Sequence, residues 1–204
     1  MKTPLVTVVG AGNVGATAAQ RLVEKNIADV VLFDIADGLA AGKALDLMQA
    51  APVEKHPKKV KGTDNYADIK GSDVVIVTAG MPRKPGMSRD DLLVNNAKIV
   101  SSVCEGIKAN APDAIVIIVS NPLDIMTDLA SRLLQLPKNR VFGMAGVLDA
   151  ARMRYFISQE LNVLPHEVDA MVFGGHGDLM VPVMSHVKVK SAPLTGLSAE
   201  KIQQ

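Results

Sequence analysis

The fold is decided by residues 5–15, which read Leu-Val-Thr-Val-Val-Gly-Ala-Gly-Asn-Val-Gly. The first five are mostly apolar and β-branched, which is typical of a buried parallel strand, and a helical pattern begins at Val14. Gly10, Gly12 and Gly15 punctuate the junction. Glycines there let the backbone turn tightly and approach a pyrophosphate, whose charge the free N–H groups of the following helix stabilise. The stretch therefore predicts a strand, a phosphate-binding turn and a helix.

An acidic residue ends the next apolar run, which spans residues 30–33. Asp34 follows Gly15 at roughly the 20-residue spacing that dinucleotide-binding units show. A carboxylate at that position accepts hydrogen bonds from ribose hydroxyls and repels a 2′-phosphate, so the pattern favours NAD over NADP. A flavodoxin-like βαβ unit with an incidental acidic strand end is the weaker alternative.

Composition places the chain among ordinary globular proteins and excludes several classes of function. Its 204 residues are 48% hydrophobic and 21% charged, and the formal net charge is +1. Such a balance gives no electrostatic footprint for nucleic acid or an acidic membrane surface. Cys104 stands alone, which excludes a disulfide framework and fits a reducing compartment. The longest apolar run is far shorter than the ~20 residues of a membrane span, so we expect a cytoplasmic protein without a signal peptide.

Strand and helix patterns alternate up to about residue 145, which predicts an α/β fold with a Rossmann-type doubly wound parallel sheet. We expect helices from Gly38 to Pro52, from about Asp91 to Asn110, and over 123–134. The lysine-rich segment 55–61 is interpreted as a solvated loop. Further strands are predicted at 74–77, 115–119 and 141–142. The carboxyl ends of parallel strands share one edge, which places Gly10, Asp34, Gly80 and Asn121 along a single crevice.

The pattern changes near residue 146, and we expect a partial α+β catalytic or substrate domain over 146–204 to follow an NAD-binding domain over 1–145. The second region shows a helix over 150–161, an apolar run over 168–173 and strand-like runs around Val181 and Val187. Ser198, with Glu200 behind it, predicts the start of another helix. We therefore expect the chain to be a C-terminally truncated form of a longer protein.

Three groups of residues are candidates for chemistry. Arg83 and Arg89 lie in a segment with two prolines and two glycines, which is typical of either a lid over an anionic substrate or a solvated basic loop. Asp149 and Arg152 share a helix face. They form either a simple ion pair or a set in which the arginine binds a carboxylate and the aspartate orients an imidazole. His176, set among glycines, is either that imidazole or a structural residue.

The remaining histidines are interpreted as structural. His56 lies in the lysine-rich loop, His166 in a proline turn, and His186 on a strand without glycine neighbours. Together with Cys104, the histidines show no metal-ligand spacing, so no metal site is predicted.

Six motifs, taken in order, closely resemble the lactate/malate dehydrogenase family and, within it, the lactate-dehydrogenase-like enzymes of bacteria that act on malate. They are Gly-Ala-Gly-Asn-Val-Gly at 10–15, Asp34, the arginine segment 83–89, Ser-Asn-Pro-Leu-Asp at 120–124, Leu-Asp-Ala-Ala-Arg at 148–152 and Gly-Gly-His-Gly-Asp at 174–178. The resemblance covers the whole chain. It implies NAD-dependent oxidation of (S)-malate to oxaloacetate and the reverse reduction, in a homo-oligomer that is a dimer or a tetramer.

The resemblance also implies a role for each site residue. His176 would be the acid/base, Asp149 would hold its other ring nitrogen, and Arg89 would polarise the substrate carbonyl. Substrate binding would fall to Arg83, Arg89, Asn121 and Arg152. The cofactor-binding residues would be Gly10, Ala11, Gly12, Asn13, Val14, Gly15, Asp34, Asn96, Val119, Ser120 and Asn121.

The substrate is expected to be a small dicarboxylate because of Arg83. Relatives that act on lactate carry a neutral glutamine at the matching position, whereas an arginine pairs with a second carboxylate. Pyruvate would leave that guanidinium without a partner in a closed site. Two alternatives remain: a dehydrogenase for lactate or another 2-hydroxy acid, and an NAD-binding module without efficient turnover.

Overall fold

The structure is a computed structural model that describes residues 2–82 and 85–194, with Arg89 described by its backbone alone. The chain divides into two compact units, an N-terminal unit of Met1–Gly143 and a C-terminal unit of Met144–Gln204. Within the described part of the chain, no helix combines the length and the apolar character needed to cross a membrane.

The described residues of the N-terminal unit form a six-stranded sheet whose strand order is β3-β2-β1-β4-β5-β6, and every neighbouring pair is parallel. The strands are β1 (Leu5–Val9), β2 (Asp29–Phe33), β3 (Val60–Thr63), β4 (Val74–Val77), β5 (Ile115–Ile118) and β6 (Val141–Gly143). The helices are α1 (Asn13–Glu24), α2 (Leu39–Glu54), α3 (Arg89–Asn110) and α4 (Leu123–Leu134). This order is that of a Rossmann-type doubly wound sheet, so the predicted fold class is confirmed.

The apolar runs form the centre of this sheet for a physical reason. Helices on a parallel sheet take both of its faces out of water, so its strands are apolar without alternation. Val8 on β1 and Leu32 on β2 are fully buried, and they belong to one cluster with Val23 of α1 and Ala44 of α2. The carboxyl ends of β1 and β4 are thereby held on a rigid base.

Two predicted boundaries in the region between β2 and β4 are wrong. Helix α2 does not end at Pro52 but continues to Glu54, because its last turn is closed by the Lys55 N–H, which donates to the Ala51 carbonyl at 2.8 Å. The expected loop at 55–61 is confirmed for residues 55–59 but ends there, since strand β3 begins at Val60 and pairs with β2. Gly62 makes this pairing possible, since a Cβ there would overlap the backbone of Ala40 on α2.

The C-terminal unit is built on one helix and short strands. Helix α5 (Gly146–Leu161) starts four residues before the predicted 150. The apolar run 168–173 contains two strands, β7 (Val168–Asp169) and β8 (Val172–Phe173), which join different sheets. The remaining strands are β9 (Val181–Pro182), β10 (Lys188–Val189) and β11 (Ala192–Pro193).

The described core of this unit is small. Ile157 of α5 packs with Val168, Ala170 and Val187, and several partly buried apolar side chains surround them. β10 pairs antiparallel with both β7 and β11, while β8 and β9 form a separate hairpin. The helix start predicted at Ser198 lies outside the described residues.

Candidate active site

The glycine turn after β1 has the shape that its sequence predicts. Gly10 has φ +104°, and a Cβ there would lie 2.8 Å from the Thr78 hydroxyl oxygen and 2.9 Å from the Ala79 nitrogen. A Cβ on Gly15 would overlap the carbonyl oxygen of Gly10. Gly12 differs, because nothing lies within 4 Å of the position its Cβ would take. Two glycines are therefore required by packing, and Gly12 leaves open space over the start of α1.

Asp34 at the end of β2 braces this turn. Its Oδ2 accepts a hydrogen bond from the Ala11 N–H at 2.6 Å, and its Oδ1 accepts one from the Ala36 N–H at 2.9 Å. Each carboxylate oxygen has further lone pairs, so both remain able to accept from a ribose hydroxyl. The carboxylate thus joins the first and second strand ends at the crevice.

Two cavities adjoin along the carboxyl ends of the strands. The first, of about 550 Å³, has Asp34, Phe33, Tyr66 and Lys98 in its wall. The second, of about 580 Å³, has Asn13, Gly15, Asn96 and the segment 119–121 in its wall. The lining residues common to both are Gly12, Thr78, Gly80 and Met81. Their volumes are typical of small-molecule sites. Because Gly12 lines both cavities, the two together suit one elongated ligand that passes over this residue.

Tyr66 is a residue of the first cavity that the sequence patterns did not single out. Its ring lies 4.1 Å from that of Phe33, centroid to centroid, and a Cβ on Gly106 would overlap it. Burial raises the pKa of Tyr66 to about 12, with a further contribution from nearby Cys104. No local signal marks this residue, because its contacts come from a 3₁₀ turn, Tyr66–Ile69, that folds back against β2 and α3.

Hydroxyl side chains fasten the strand ends beneath the second cavity. The Thr78 hydroxyl lies 3.1 Å from the carbonyl oxygens of both Val9 and Gly10. The Ser120 hydroxyl donates to the Ala79 carbonyl at 2.6 Å. Strands β1, β4 and β5 are thus joined by side chains at the point where their backbone ladder ends.

The C-terminal unit holds the other candidate group. The His176 Nδ1 lies 2.8 Å from the Asp149 Oδ2, and both side chains are mostly buried. The guanidinium of Arg152, one turn along α5, lies 3.5 Å from the other carboxylate oxygen and is largely exposed. An ionised Asp149 accepts from the Nδ1–H, which leaves the Nε2 of a neutral His176 as a proton acceptor.

A glycine sets the loop that carries His176. The loop joins β8 to β9, and Gly174 has φ +90° at its start. A Cβ on Gly174 would overlap the carbonyl oxygen of Leu179 on the returning side. The tight hairpin needs glycine there and places His176 over the first turns of α5.

The predicted site residues thus fall into two groups, one in each unit. The N-terminal group is Gly10, Ala11, Gly12, Asn13, Val14, Gly15, Asp34, Asn96, Val119, Ser120 and Asn121. The C-terminal group is Asp149, Arg152 and His176. Arg89 is the first residue of α3, and its side chain lies outside the description. Arg83 also lies outside the described residues.

Comparison with known families matches these two groups to two domains of one family. The model for the NAD binding domain of lactate/malate dehydrogenase matches residues 5–143. The model for the alpha/beta C-terminal domain of the same family matches residues 146–204. The chain belongs to the lactate/malate dehydrogenase family.

Curated members of this family are similar over nearly the whole chain. The malate dehydrogenase of Nostoc punctiforme is 57% identical over 194 residues, which are 95% of this chain and 59% of that protein. The malate dehydrogenase of Chloroherpeton thalassium is 55% identical over 193 residues, or 94% of this chain and 62% of that protein. The chain therefore spans about 60% of the length of these relatives.

Solved structures of the family share the fold. The apo malate dehydrogenase of Picrophilus torridus superposes with a TM-score of 0.95 at 45% identity, over 99% of this chain and 64% of that one. The lactate dehydrogenase of Cryptosporidium parvum, complexed with lactic acid and nicotinamide adenine dinucleotide, superposes with a TM-score of 0.89 at 47% identity. That match covers 95% of this chain and 61% of the other.

Proposed function

We propose that this chain functions as an NAD-dependent malate dehydrogenase, which oxidises (S)-malate to oxaloacetate and catalyses the reverse reduction. The observation that carries the proposal is the 2.8 Å contact between His176 and Asp149, with Arg152 beside it. A module that only binds a dinucleotide has no use for an oriented imidazole next to a guanidinium. A dehydrogenase needs both, one for the proton and one for the substrate carboxylate.

The cofactor would lie along the two cavities of the N-terminal unit. The open space at Gly12 and the start of α1 suit a pyrophosphate, and Asp34 suits an adenosine ribose. The proposed cofactor-binding residues are the whole turn 10–15, Asp34, Asn96 and the segment 119–121. When bound, NAD supplies the hydride acceptor for malate oxidation and, once reduced, the hydride donor for the reverse reaction.

The proton is assigned to His176. In the oxidative direction its Nε2 accepts the proton of the substrate hydroxyl, and in the reductive direction it returns that proton to the alkoxide oxygen. Asp149 stabilises the imidazolium that forms and keeps the Nδ1 protonated throughout. Because the pair is mostly buried, the attraction between imidazolium and carboxylate is stronger than it would be in water.

The substrate is assigned to four polar side chains. Arg152 is exposed enough to bind the carboxylate next to the reacting carbon through both of its outer nitrogens. Arg89 would polarise the carbonyl, and Asn121 would orient the substrate oxygen. Arg83 would pair with the second carboxylate and so select a dicarboxylate.

A lactate dehydrogenase is the second candidate, favoured by the 47% identity to the lactate dehydrogenase of Cryptosporidium parvum. The two candidates differ in the charge that the far end of the substrate presents. Pyruvate has no second carboxylate to pair with Arg83. In a closed site its kcat/KM should therefore be roughly 10⁴-fold lower than that of oxaloacetate, as in other sites built around a polar partner.

The experiment is NADH oxidation with oxaloacetate and, separately, with pyruvate, on the 204-residue chain. Turnover with oxaloacetate alone is the expected result, and Arg83→Gln should move the preference toward pyruvate. Arg132→Gln is a matched control, because Arg132 forms an exposed ion pair with Asp128 on α4. A preference that does not move in Arg83→Gln would contradict the assignment to malate.

The same proposal covers organisation and location. Residues 1–145 would be the NAD-binding domain and 146–204 part of the substrate domain.

A homo-oligomer is supported by exposed apolar side chains on two helices, Leu45 and Val53 of α2 and Phe156 of α5. Cytoplasmic location is supported by the free thiol of Cys104. Sedimentation equilibrium and cell fractionation test these two points.

A further inference from the structure

Both polar atoms of the Asn96 side chain, on the second turn of α3, are hydrogen-bonded to backbone. The residue is 1% exposed. Its Oδ1 accepts a hydrogen bond from the Met81 N–H at 2.8 Å, and its Nδ2 donates to the Asn121 carbonyl at 2.7 Å. The same nitrogen lies 3.3 Å from the Met81 carbonyl. Since a carboxamide has one oxygen and two N–H donors, this side chain is occupied by the backbone of two other segments.

The two segments that Asn96 joins continue from neighbouring strands. The ladder between β4 and β5 pairs Val77 with Ile118, and its last bond runs from the Val119 N–H to the Val77 carbonyl at 2.8 Å. Beyond that bond no further backbone pairing is described between the two segments. The Ser120 hydroxyl donates to the Ala79 carbonyl, and Met81 and Asn121 are joined through the Asn96 side chain. Asn96 therefore takes over where the strand pairing stops.

Both joined segments are walls of the same cavity. The second cavity, of about 580 Å³, is lined by Gly80, Met81, Asn96 and the segment 119–121. If an adenosine ribose binds at Asp34 and the pyrophosphate at Gly12, the remaining half of a dinucleotide, its nicotinamide, falls in this second cavity. The walls that Asn96 ties together are those that would face the reacting ring.

We propose that Asn96, which is among the proposed cofactor-binding residues, acts there as a positioning residue and not by direct contact: through the backbone of Met81 and Asn121 it fixes the width of the cavity for the nicotinamide half of the cofactor. The identity of that ligand rests on the proposed function. The adenosine half would be held by Asp34 and the glycine turn, whereas the described hydrogen bonds of the Asn96 side chain go to Met81 and Asn121. Loss of Asn96 should thus weaken one half of the dinucleotide site and spare the other.

The test compares Asn96→Ala with Asn110→Ala. Asn110 ends the same helix and donates its own Nδ2 to a backbone carbonyl, that of Gly106 at 3.0 Å, away from the cavities. We expect Asn96→Ala to raise the Kd for NADH about tenfold, which corresponds to roughly one or two hydrogen bonds, and to leave the Kd for AMP within about twofold. Asn110→Ala should leave both Kd values unchanged.

Two further measurements keep the outcome decisive. Asn96→Asp places a buried carboxylate oxygen against the Asn121 carbonyl in place of the N–H donor, so its Kd for NADH should be at least as high as that of Asn96→Ala. Hydrogen exchange of the Met81 amide needs no ligand, and it should be faster in Asn96→Ala but not in Asn110→Ala.

The outcomes separate the inference from the proposed function. Equal weakening of NADH and AMP would give Asn96 a general structural role and overturn the inference, and so would unchanged NADH binding or unchanged Met81 exchange. A wild-type chain that binds neither NADH nor AMP would overturn the proposed function, whereas the exchange of the Met81 amide would still decide whether Asn96 fixes that wall.

Discussion

The two units hold their functional groups by different means. In the N-terminal unit the glycine turn and Asp34 follow strands whose side chains are almost wholly buried, and backbone and hydroxyl bonds lock the strand ends. In the C-terminal unit His176 lies on a hairpin of two-residue strands, where Phe173 is 59% and Val181 57% exposed. His176 depends on Asp149 and Gly174 for its position, whereas the turn depends on a whole sheet.

Mutations in the two units should therefore affect different properties of the protein. A change in the glycine turn disturbs a packed core, so it should affect stability and cofactor binding together. A change at His176 or Asp149 removes a contact on a thinly packed hairpin, so it should affect turnover with little effect on stability. Regions with few buried contacts also open more readily, which predicts faster amide exchange in the loop 174–180 than in β1 and β4.

Among the variants that retain His176, replacement of Asp149 by asparagine should have the largest effect. An asparagine cannot stabilise an imidazolium, and its amide allows the wrong tautomer of His176, so kcat should fall by about 10³ to 10⁴. The Kd for NADH should not change, because Asp149 lies outside both cavities of the N-terminal unit. Asp128→Asn, at an exposed ion pair on α4, is the control. Equal losses of NADH binding and turnover would argue against the division of labour between the two units.

Gly15→Ala should be next in size and should act through stability. The added Cβ overlaps the Gly10 carbonyl oxygen, and backbone cannot move aside as a flexible side chain does. We expect the free energy of unfolding to fall by about 3 kcal/mol or more, measured by urea denaturation. Gly42→Ala on α2 is the matched control: its Cβ meets nothing within 4 Å, so it should stabilise the helix by roughly 0.5–1 kcal/mol. A fully stable Gly15→Ala would show that the turn is less rigid than its packing indicates.

Asp34→Ala should have an intermediate effect on the cofactor. The change removes the carboxylate that would bind the ribose and that accepts hydrogen bonds from the Ala11 and Ala36 N–H groups. The Kd for NADH should therefore rise about 10- to 100-fold, which corresponds to the strength of hydrogen bonds to a charged group. Discrimination against NADPH should weaken as well, because the repelling carboxylate is gone. Asp37→Ala, three residues further along the exposed loop, should leave both Kd values unchanged. Fluorescence titration with NADH and NADPH measures the effect.

The smallest expected effect is a loss of stability at alkaline pH, which reports on the burial of Cys104 in the N-terminal unit. Burial in the N-terminal unit, with a smaller contribution from Glu105, raises the pKa of Cys104 from 9.0 to about 11. Between these values the unfolded chain releases the thiol proton and the folded chain keeps it, so the free energy of unfolding falls as pH rises from about 9 to 11. Urea denaturation at pH 8, 9, 10 and 11 measures the slope. Rapid reaction of Cys104 with a thiol reagent in the folded protein at pH 8 would contradict this protected state.

More of the N-terminal sheet than of the C-terminal unit could be predicted from the sequence. Runs such as 30–33 and 74–77 are apolar without alternation, and parallel strands need that pattern, so their burial could be predicted. Strand β3 could not be predicted, because its Val-Lys-Gly-Thr sequence becomes a strand only through pairing with β2 and through Gly62 against α2. The two-residue strands of the C-terminal unit are likewise defined by their partners more than by their own residues.

The residues of the candidate site also differ in how much about them could be predicted from the sequence. Residue types and spacing indicated the glycine turn, Asp34, Asp149 and His176, because each of these side chains or turns has a chemical role of its own. The distance between Asp149 and His176 could not be derived, since they lie 27 positions apart in sequence, with most of α5 and strands β7 and β8 between them. The contacts of Asn96 could not be derived either, because its partners are backbone atoms and any residue supplies those.

The most direct test of the central claim is NADH oxidation with oxaloacetate by His176→Asn, with NADH binding measured on the same preparation. Removal of the acid/base group should lower kcat by about 10⁴-fold, at least as far as the loss of its orienting partner Asp149. The Kd for NADH should stay at the wild-type value, because His176 lines neither of the cavities in the N-terminal unit. Turnover at the wild-type rate in this variant would contradict the account, since the proton would then be carried by another group.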